Sequence, residues 1–219
     1  KQFLDVLGIG KSLLRLTFER LLGVSDVSRI YILTNERYRD LVLSQLTELT
    51  VDQVICEPER KNTAPCIAFA AAKILGLNPN ATLVISPSDH LIINTSRFVS
   101  LINTAVTEAN QGQLVTLGIQ PSRPDTGYGY IEVAQGKHAA GSVQQVHRFC
   151  EKPSLDVAKT FVEEGNYFWN SGIFIWRADV ILDAMNLYAN TLYHVFCESL
   201  ASYNTPMEEG FMRSAFAAA

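Results

Sequence analysis

The sequence lacks the motifs and runs on which several common functional classes depend. Its four cysteines (Cys56, Cys66, Cys150 and Cys197) form no C-x-x-C pair and its histidines form no H-E-x-x-H motif, so zinc-ligand spacing is absent. No apolar run approaches the roughly 18 residues that span a membrane. No basic run occurs, and the formal net charge is −4. These absences predict a protein that binds neither membrane nor nucleic acid.

A P-loop is lacking as well, because the Walker A pattern that would end in Gly10 and Lys11 requires glycine where Asp5 stands. What is present is an apolar chain: 47% of its 219 residues are hydrophobic and 18% are charged. That composition predicts one large domain over residues 1–219. The scattered cysteines indicate reduced thiols and a cytoplasmic location. Any anionic substrate would need local cations or a bound metal to attract it, since the net charge is negative.

Helical and strand periodicities alternate through the first half of the chain. Helices are predicted over residues 11–22, 35–46, 64–75 and 96–109, and strands over residues 28–33, 51–56, 81–85 and 114–119. This alternation predicts βαβ units and a largely parallel sheet. Further on, strands at 128–133, 142–149 and 168–176 with fewer helices between them predict a mixed sheet or a β-rich lobe, followed by helices at 179–188 and 191–202.

Polar segments follow two of the predicted strands, at the edge where open parallel sheets bind ligands. Asp89, in the Ser-Pro-Ser-Asp-His segment 86–90, could bind a hard cation such as Mg²⁺; it could equally be a helix cap or a turn residue. The Asn-Thr-Ala-Pro segment 62–65 opens a helix, whose N-terminus favours an anion or a base, or is an ordinary cap. The adjacent pair Arg60 and Lys61 could serve that site or form a solvated basic patch.

Three segments of the second half carry further candidates. Gly129, in the Thr-Gly-Tyr-Gly-Tyr segment 126–130, allows close approach of a ligand or opens a hairpin. Glu151 and Lys152 could grip a sugar hydroxyl and a phosphate, or form a surface salt bridge. Asn170 could hydrogen-bond to vicinal hydroxyls, or form an Asx-turn before a strand. Each signal alone is weak, and their order along the chain is the specific feature.

That order resembles the sugar-phosphate nucleotidylyltransferases, and most closely the bacterial mannose-1-phosphate guanylyltransferases. The matching stretches are 1–4, 12–14, 57–58, 62–65, 86–90, 126–131, 149–153 and 169–174. Segments 62–65, 87–90 and 169–172 favour the guanylyl and mannose branch over thymidylyl or uridylyl relatives. The resemblance implies an α/β, Rossmann-like nucleotidyltransferase fold with a mostly parallel mixed sheet flanked by helices and a β-rich, sugar-binding lobe in the second half.

The same resemblance implies roles for individual residues. Asp89 would be the first of two aspartates that bind the catalytic Mg²⁺, and Lys1 would contact phosphates. Lys1, Asp89 and Lys152 would form the catalytic set. The nucleotide would be held by Glu57, Asn62, Thr63 and Ser88. Mannose 1-phosphate would be held by Gly129, Glu151, Lys152 and Asn170.

The implied reaction joins GTP and α-mannose 1-phosphate into GDP-mannose and pyrophosphate, by positioning and charge neutralisation. The sequence departs from the family pattern: the glycine-rich loop expected before Lys1 and the second metal-binding aspartate expected after residue 219 are absent, and Lys61 stands where Arg is common. Two alternatives stay open, a different sugar 1-phosphate and nucleotide pair, or a non-catalytic nucleotide-sugar-binding domain. A homodimer is compatible with either.

Overall fold

The computed structural model describes residues 1–59, 61–136 and 138–219. Within these ranges the helices are α1 (Leu13–Leu21), α2 (Arg39–Gln45), α3 (Thr63–Leu77), α4 (Thr95–Asn110), α5 (Leu155–Glu164), α6 (Ala178–Tyr188), α7 (Asn190–Cys197) and α8 (Glu208–Ala218). The strands are β1 (Ile32–Asn35), β2 (Val54–Glu57), β3 (Thr82–Ile85), β4 (Val115–Ile119), β5 (Tyr130–Val133), β6 (Val146–Cys150) and β7 (Tyr167–Arg177). Short 3₁₀ helices cover Val27–Arg29, Glu36–Tyr38, Val51–Gln53 and Leu200–Ser202.

The strands form two sheets of different kinds. β1 and β2 pair in parallel, with Asn35 opposite Glu57 at their carboxyl ends. In the five-stranded sheet β3, β4 and β5 each pair with β7, and β6 pairs with β5, all antiparallel. The predicted α/β class with mixed strand directions is confirmed. The predicted predominance of parallel pairing is wrong for the described strands, because β7 inserts between β3 and β4, which run in one direction without touching.

Local sequence signals account for the starts of two helices. The Ser12 side chain accepts a hydrogen bond from the Arg15 N–H at 3.2 Å, which fixes the start of α1. Asn94 caps α4 in the same way, at 2.9 Å from the Arg97 N–H. The predicted end of the third helix before Gly76 is wrong, since α3 continues to Leu77.

Other boundaries differ because the chain turns more tightly than the periodicity indicated. The first two predicted strands begin too early, where the chain forms the 3₁₀ helices Val27–Arg29 and Val51–Gln53. The strand predicted over 142–149 is reduced to β6, and the helix predicted over 191–202 ends at Cys197. α5 and α8 were not predicted, although the apolar residues of α5 have helical spacing, with Ala158 and Phe161 buried.

Alternate residues of β7 face different helical layers. Ile173 and Ile175 pack against α4, together with Phe98 and Ile102. Phe174 and Trp176 lie on the opposite face, in the cluster formed with α3, α6, α7 and α8. This is the period-two alternation expected of a strand covered on both faces. β7 is therefore the buried axis on which the candidate site is built.

The four cysteines carry free thiols. Burial raises the pKa of Cys66 to about 12, with a smaller contribution from the Glu57 carboxylate, and burial raises the pKa of Cys197 to about 11. Both thiols therefore stay protonated at neutral pH. Among the described residues, no helix is long and apolar enough to cross a bilayer.

Candidate active site

The candidate site lies where two strands share one edge of β7. β3 and β4 both pair with Phe174 and Ile175, so they occupy opposite edges of β7. Trp169 pairs with both β4 and β5, which places β5 on the same edge as β3. The end of β3 and the start of β5 therefore face each other along this edge, and the backbone from Asn170 to Ile173 lies between them. Candidates from three distant parts of the sequence meet at this gap.

Glu151, Gly129 and Asn170 lie side by side on three neighbouring segments. The Asn170 N–H donates to the Gly129 carbonyl at 2.8 Å. A Cβ atom added to Gly129 would lie 3.1 Å from Glu151 Oε2 and 3.9 Å from Asn170 Cβ. The carboxylate of Glu151 therefore lies over the Gly129 backbone, where an added Cβ would crowd it. Lys152 Nζ lies 3.6 Å from Glu151 Oε1, which is the surface ion pair considered as the alternative for these two residues.

The side-chain amide of Asn170 is fixed by its own strand and by β4. Its Oδ1 accepts from the Gly172 N–H at 3.2 Å, and the Thr116 hydroxyl lies 3.2 Å away. This Asx-type bond lies inside β7 and not before it. Gly172, whose N–H donates the bond, has a φ of 70°, a conformation that favours glycine. Among the described residues no group accepts from Asn170 Nδ2. A ligand hydroxyl or phosphate could therefore accept from this amide.

Asp89 lies in a turn after β3, with its carboxylate partly open to solvent. Its Oδ2 is 3.4 Å from Lys1 Nζ, and the Lys1 and Asp89 side chains are 69% and 37% exposed. α4 is capped by Asn94, so the cap alternative for Asp89 is excluded and the turn alternative is compatible. An ion pair this exposed holds the carboxylate only weakly. Asp89 is therefore accessible to a cation.

Two residues of α1, Thr17 and Arg20, which the sequence did not indicate as functional, contact the backbone of the turn that carries Asp89. The Thr17 hydroxyl lies 3.5 Å from the Ser88 carbonyl, and Arg20 Nη1 lies 3.5 Å from the His90 carbonyl. Arg20 Nη2 donates to Thr17 Oγ1 at 3.0 Å. Both side chains are buried. The sequence offered one signal for them: two polar residues, spaced i, i+3, lie on the otherwise apolar face of a predicted helix.

Cations outnumber the carboxylate around this turn. Burial lowers the pKa of His90, the Asp89 carboxylate opposes that shift, and Arg20 and Lys1 add to it. His90 is thus neutral at pH 7. Among the described residues that act on His90, Lys1 and Arg20 are the cations and Asp89 is the carboxylate, so the local potential favours an anion although the whole chain is acidic.

The predicted nucleotide residues of segment 57–63 lie at the carboxyl end of β2 and the start of α3. Asn35 Nδ2 donates to the Glu57 carbonyl at 3.3 Å. Asn62 is the N-cap of α3 with a φ of 67° and makes no side-chain cap bond; Thr63 is the first helical residue and is exposed. Within the described ranges, no hydrogen bond or ion pair joins Asn62 or Thr63 to Asp89. Arg60 lies outside the described residues.

Asp89 offers one carboxylate to a divalent cation. Elsewhere in the described part of the chain, no group of three His, Cys, Asp or Glu side chains could hold a metal. Mg²⁺ is usually bound by one or two carboxylates and completes its shell with water and substrate phosphates. The residues therefore fit a metal ion that binds together with a phosphate ligand.

A cavity of about 970 Å³ lies away from these groups, between β2, α3 and α8. Its lining includes Arg39, Lys73 and Glu208 but none of the residues around Asp89 or Asn170. Lys73 and Glu208 are paired with each other at 2.7 Å across it. The chemistry indicated by the sequence is therefore at the open edge of β7 and not in this cavity.

The chain is similar to curated proteins over most of its length. It is 39% identical over 211 residues to mannose-1-phosphate guanylyltransferase 2 of Escherichia coli O157:H7, covering 92% of this chain and 43% of that protein. It is 38% identical over 190 residues to xanthan biosynthesis protein XanB of Xanthomonas campestris pv. campestris (strain B100), covering 86% and 39%. The chain thus spans less than half the length of these curated relatives.

Solved structures share the fold. A Helicobacter pylori crystal structure described as mannose-6-phosphate isomerase matches with a TM-score of 0.78 and 35% identity, covering 92% of this chain and 76% of that one. A Thermus thermophilus crystal structure described as mannose-1-phosphate geranyltransferase matches with a TM-score of 0.79 and 25% identity, covering 94% and 58%. The family described as "Nucleotidyl transferase" matches residues 1–210. The chain belongs to the nucleotidyl transferase family, and the predicted fold is confirmed.

Proposed function

We propose that residues 1–219 form a single nucleotidyltransferase domain that transfers a guanylyl group from GTP to α-mannose 1-phosphate and releases pyrophosphate. The observation that carries this proposal is that Glu151, Gly129 and Asn170 lie side by side at the edge of β7 along which β3 ends. Asp89 lies in the turn that follows β3. Relatives named mannose-1-phosphate guanylyltransferase, 34–39% identical to the chain, support the choice of substrates.

The reaction requires positioning more than covalent work by the protein. A sugar-phosphate oxygen attacks the α-phosphorus of GTP in line, a new P–O bond forms, and the bond to pyrophosphate breaks. No general base is needed, because a phosphate monoester is already largely ionised at neutral pH. The Lys152 ammonium screens the attacking phosphate. The Asn170 amide and the Glu151 carboxylate hold sugar hydroxyls, since one donates and the other accepts hydrogen bonds.

A divalent metal is general in this family, and Mg²⁺ would be held here by Asp89. When bound, Mg²⁺ neutralises charge on the phosphates and aligns them. Lys1 lies beside Asp89 and contacts phosphate oxygens. Ser88 shares the Asp89 turn and contributes to the nucleotide side of the site.

The base end of the nucleotide binds near the start of α3. The first N–H groups of that helix are left without a side-chain cap by Asn62, so they can donate to a ligand. Glu57, Asn62 and Thr63 form this part of the site.

Three further features stay predictions: a cytoplasmic location, which is consistent with four free thiols, a homodimer, and the lack of a nucleic-acid partner.

A substrate panel tests the proposal. The complete gene product containing these residues is incubated with Mg²⁺, with GTP or UTP, and with mannose 1-phosphate or glucose 1-phosphate. Pyrophosphate release is followed, and the product is identified by mass spectrometry. We expect GDP-mannose from GTP and mannose 1-phosphate as the preferred product. Preference for UTP and glucose 1-phosphate would overturn the substrate choice, and GDP-mannose binding without any turnover would favour a non-catalytic domain.

A further inference from the structure

Arg20 is a buried cation without a counter-ion among the described residues. Its side chain is on the buried face of α1, only 3% exposed. No carboxylate lies within ion-pair distance of it in the described ranges, and its guanidinium carbon stands 5.1 Å from the centre of the Phe98 ring. Its Nε is buried and has no hydrogen-bond partner among these residues. Burial lowers the pKa of Arg20, but an arginine guanidinium remains charged at neutral pH.

The same guanidinium is connected to the backbone on both sides of Asp89. Nη1 reaches the His90 carbonyl directly, at 3.5 Å. Nη2 donates to Thr17 Oγ1, so the only hydrogen of that hydroxyl is free to point at the Ser88 carbonyl, 3.5 Å away. One side chain therefore restrains the residues before and after the carboxylate. A shift of Arg20 would be transmitted to the position of Asp89.

A buried charge left unpaired is costly, and arginine is almost never fully buried without a partner. A methionine of similar length would fill the same space beside Phe98 without that cost. The cation is therefore best explained by an anion that is present only when the site is filled. Lys1 is the other cation near the turn, and it is exposed and already paired with Asp89.

We propose that Arg20 is a positioning residue of this site: its fork holds the turn that carries Asp89, and its unpaired charge helps to hold the phosphates of the ligand. This inference rests on the proposed function only in taking the ligand to be a Mg²⁺-bound diphosphate or triphosphate. Arg20 touches neither substrate nor metal in this account. It acts through the carbonyl groups of Ser88 and His90 and through its charge.

The test separates charge from geometry with two substitutions in the complete gene product. Arg20→Met removes the charge and keeps the length, and Arg20→Lys keeps the charge and loses the fork. Arg97→Met is the matched control, because Arg97 also donates to a backbone carbonyl, that of Ala140, away from the Asp89 turn. Isothermal titration with pyrophosphate and Mg²⁺ gives the Kd, and steady-state kinetics give kcat and KM. Circular dichroism checks that each variant is folded.

We expect Arg20→Met to raise the Kd for Mg²⁺-pyrophosphate by at least about fivefold, since a buried charge near a charged ligand is little screened. We expect kcat to fall by about tenfold to a hundredfold in both variants, the scale of a displaced reacting group. Arg20→Lys should keep the wild-type Kd while its kcat stays low. A merely structural role would instead reduce the active fraction and leave Kd, and KM, unchanged.

A folded Arg20→Met variant with wild-type Kd would overturn the inference whatever its kcat, as would an Arg20→Lys variant with wild-type kcat. Should Arg20→Met not fold, the Arg20→Lys result decides alone. The outcome is separable from that of the proposed function, because pyrophosphate is a product for every nucleotide and sugar pair of this family. A wild-type protein that binds Mg²⁺-pyrophosphate but does not use GTP and mannose 1-phosphate would refute the substrates and leave Arg20 testable. One that binds no Mg²⁺-pyrophosphate would refute the Arg20 inference.

Discussion

The turn that carries Asp89 and the segment that carries Glu151 and Lys152 meet at one edge of β7, yet they are held very differently. The Asp89 turn rests on two buried side chains of α1, Thr17 and Arg20. Glu151 and Lys152 follow β6 with side chains 77% and 64% exposed, and they pair with each other. The Asp89 turn is restrained by buried side chains, whereas the side chains of Glu151 and Lys152 are surrounded mostly by solvent.

This difference matches the two tasks of the proposed reaction. Aligning a metal and two phosphate groups requires that the backbone carrying the carboxylate be held in place, because small displacements cost large factors in rate. Holding sugar hydroxyls tolerates side chains that adjust on binding, provided that one group is fixed. Asn170 is that group, since its Oδ1 is engaged within the sheet. Under the proposed function, the site would therefore combine a restrained phosphate side with an adjustable sugar side.

The largest effect is expected at Asp89. Asp89→Asn keeps the shape of the side chain but removes its charge, and we expect kcat to fall by at least about 10²-fold, the scale of lost electrostatic stabilisation. Initial rates at saturating substrates measure this change. Asp183→Asn, at an exposed position of α6, is the control. Wild-type turnover by Asp89→Asn would show that the reaction does not need the Asp89 carboxylate, and the two sides of the site would then not differ in function as proposed.

The contrast in support predicts a contrast in stability. Thr17→Val keeps the buried volume but leaves the Ser88 carbonyl and Arg20 Nη2 without their partner, so we expect a loss of about 1–3 kcal/mol in the free energy of unfolding. Lys152→Gln removes an exposed ion pair, and we expect a change below about 1 kcal/mol. Urea unfolding measures both. Equal losses in the two variants would contradict the proposed difference in rigidity.

Asn170→Asp tests the fixed group of the sugar side. The substituted carboxylate can still accept from the Gly172 N–H, but it cannot donate to a ligand. We expect KM for mannose 1-phosphate to rise by about tenfold, because one hydrogen bond is lost and a negative charge faces the phosphate. Asn80→Asp adds the same charge at an exposed position and serves as the control. An unchanged KM would remove Asn170 from the sugar site.

The smallest effect is expected at Gly129. In Gly129→Ala the new Cβ would stand 3.1 Å from Glu151 Oε2, so the flexible carboxylate moves aside at little cost to the fold. We expect KM for mannose 1-phosphate to rise by about threefold, the equivalent of one weakened hydrogen bond, with no change in Tm. In the control Gly210→Ala, nothing lies within 4 Å of the added Cβ. A large loss of Tm in Gly129→Ala would show that the sugar side is rigid.

Much of the fold could be predicted from local patterns. The N-cap position of Asn35 was predicted from side-chain type, and the helices α1 and α4 were predicted from periodicity to within two residues at each end. Strand pairing could not be predicted in this way. β7 lies between β3 and β4, whose residues pair with positions at least 50 residues further along the chain, and only long-range packing decides which strands become neighbours.

The residues of the candidate site also differ in whether local sequence patterns indicate them. Asp89, Gly129, Glu151 and Asn170 were named as candidates from short polar segments and from the family resemblance, and their roles stay predictions. Thr17 and Arg20 were not, since their roles depend on which loop packs over α1. The relation between segment 57–63 and the Asp89 turn also could not be read from spacing, and no direct bond joins Asn62 or Thr63 to Asp89 in the described residues.

The amino-acid sequence by itself determined the α/β class, the resemblance to nucleotidyl transferases and the residue types available for chemistry, because these depend on local periodicity and short motifs. Only the tertiary structure decided that Asp89, Gly129 and Asn170 share one edge of β7, and that an arginine with no counter-ion among the described residues is buried beneath the first of them. The physical reason is that strand order and the burial of a charge depend on contacts between residues far apart in the chain, which no local pattern specifies.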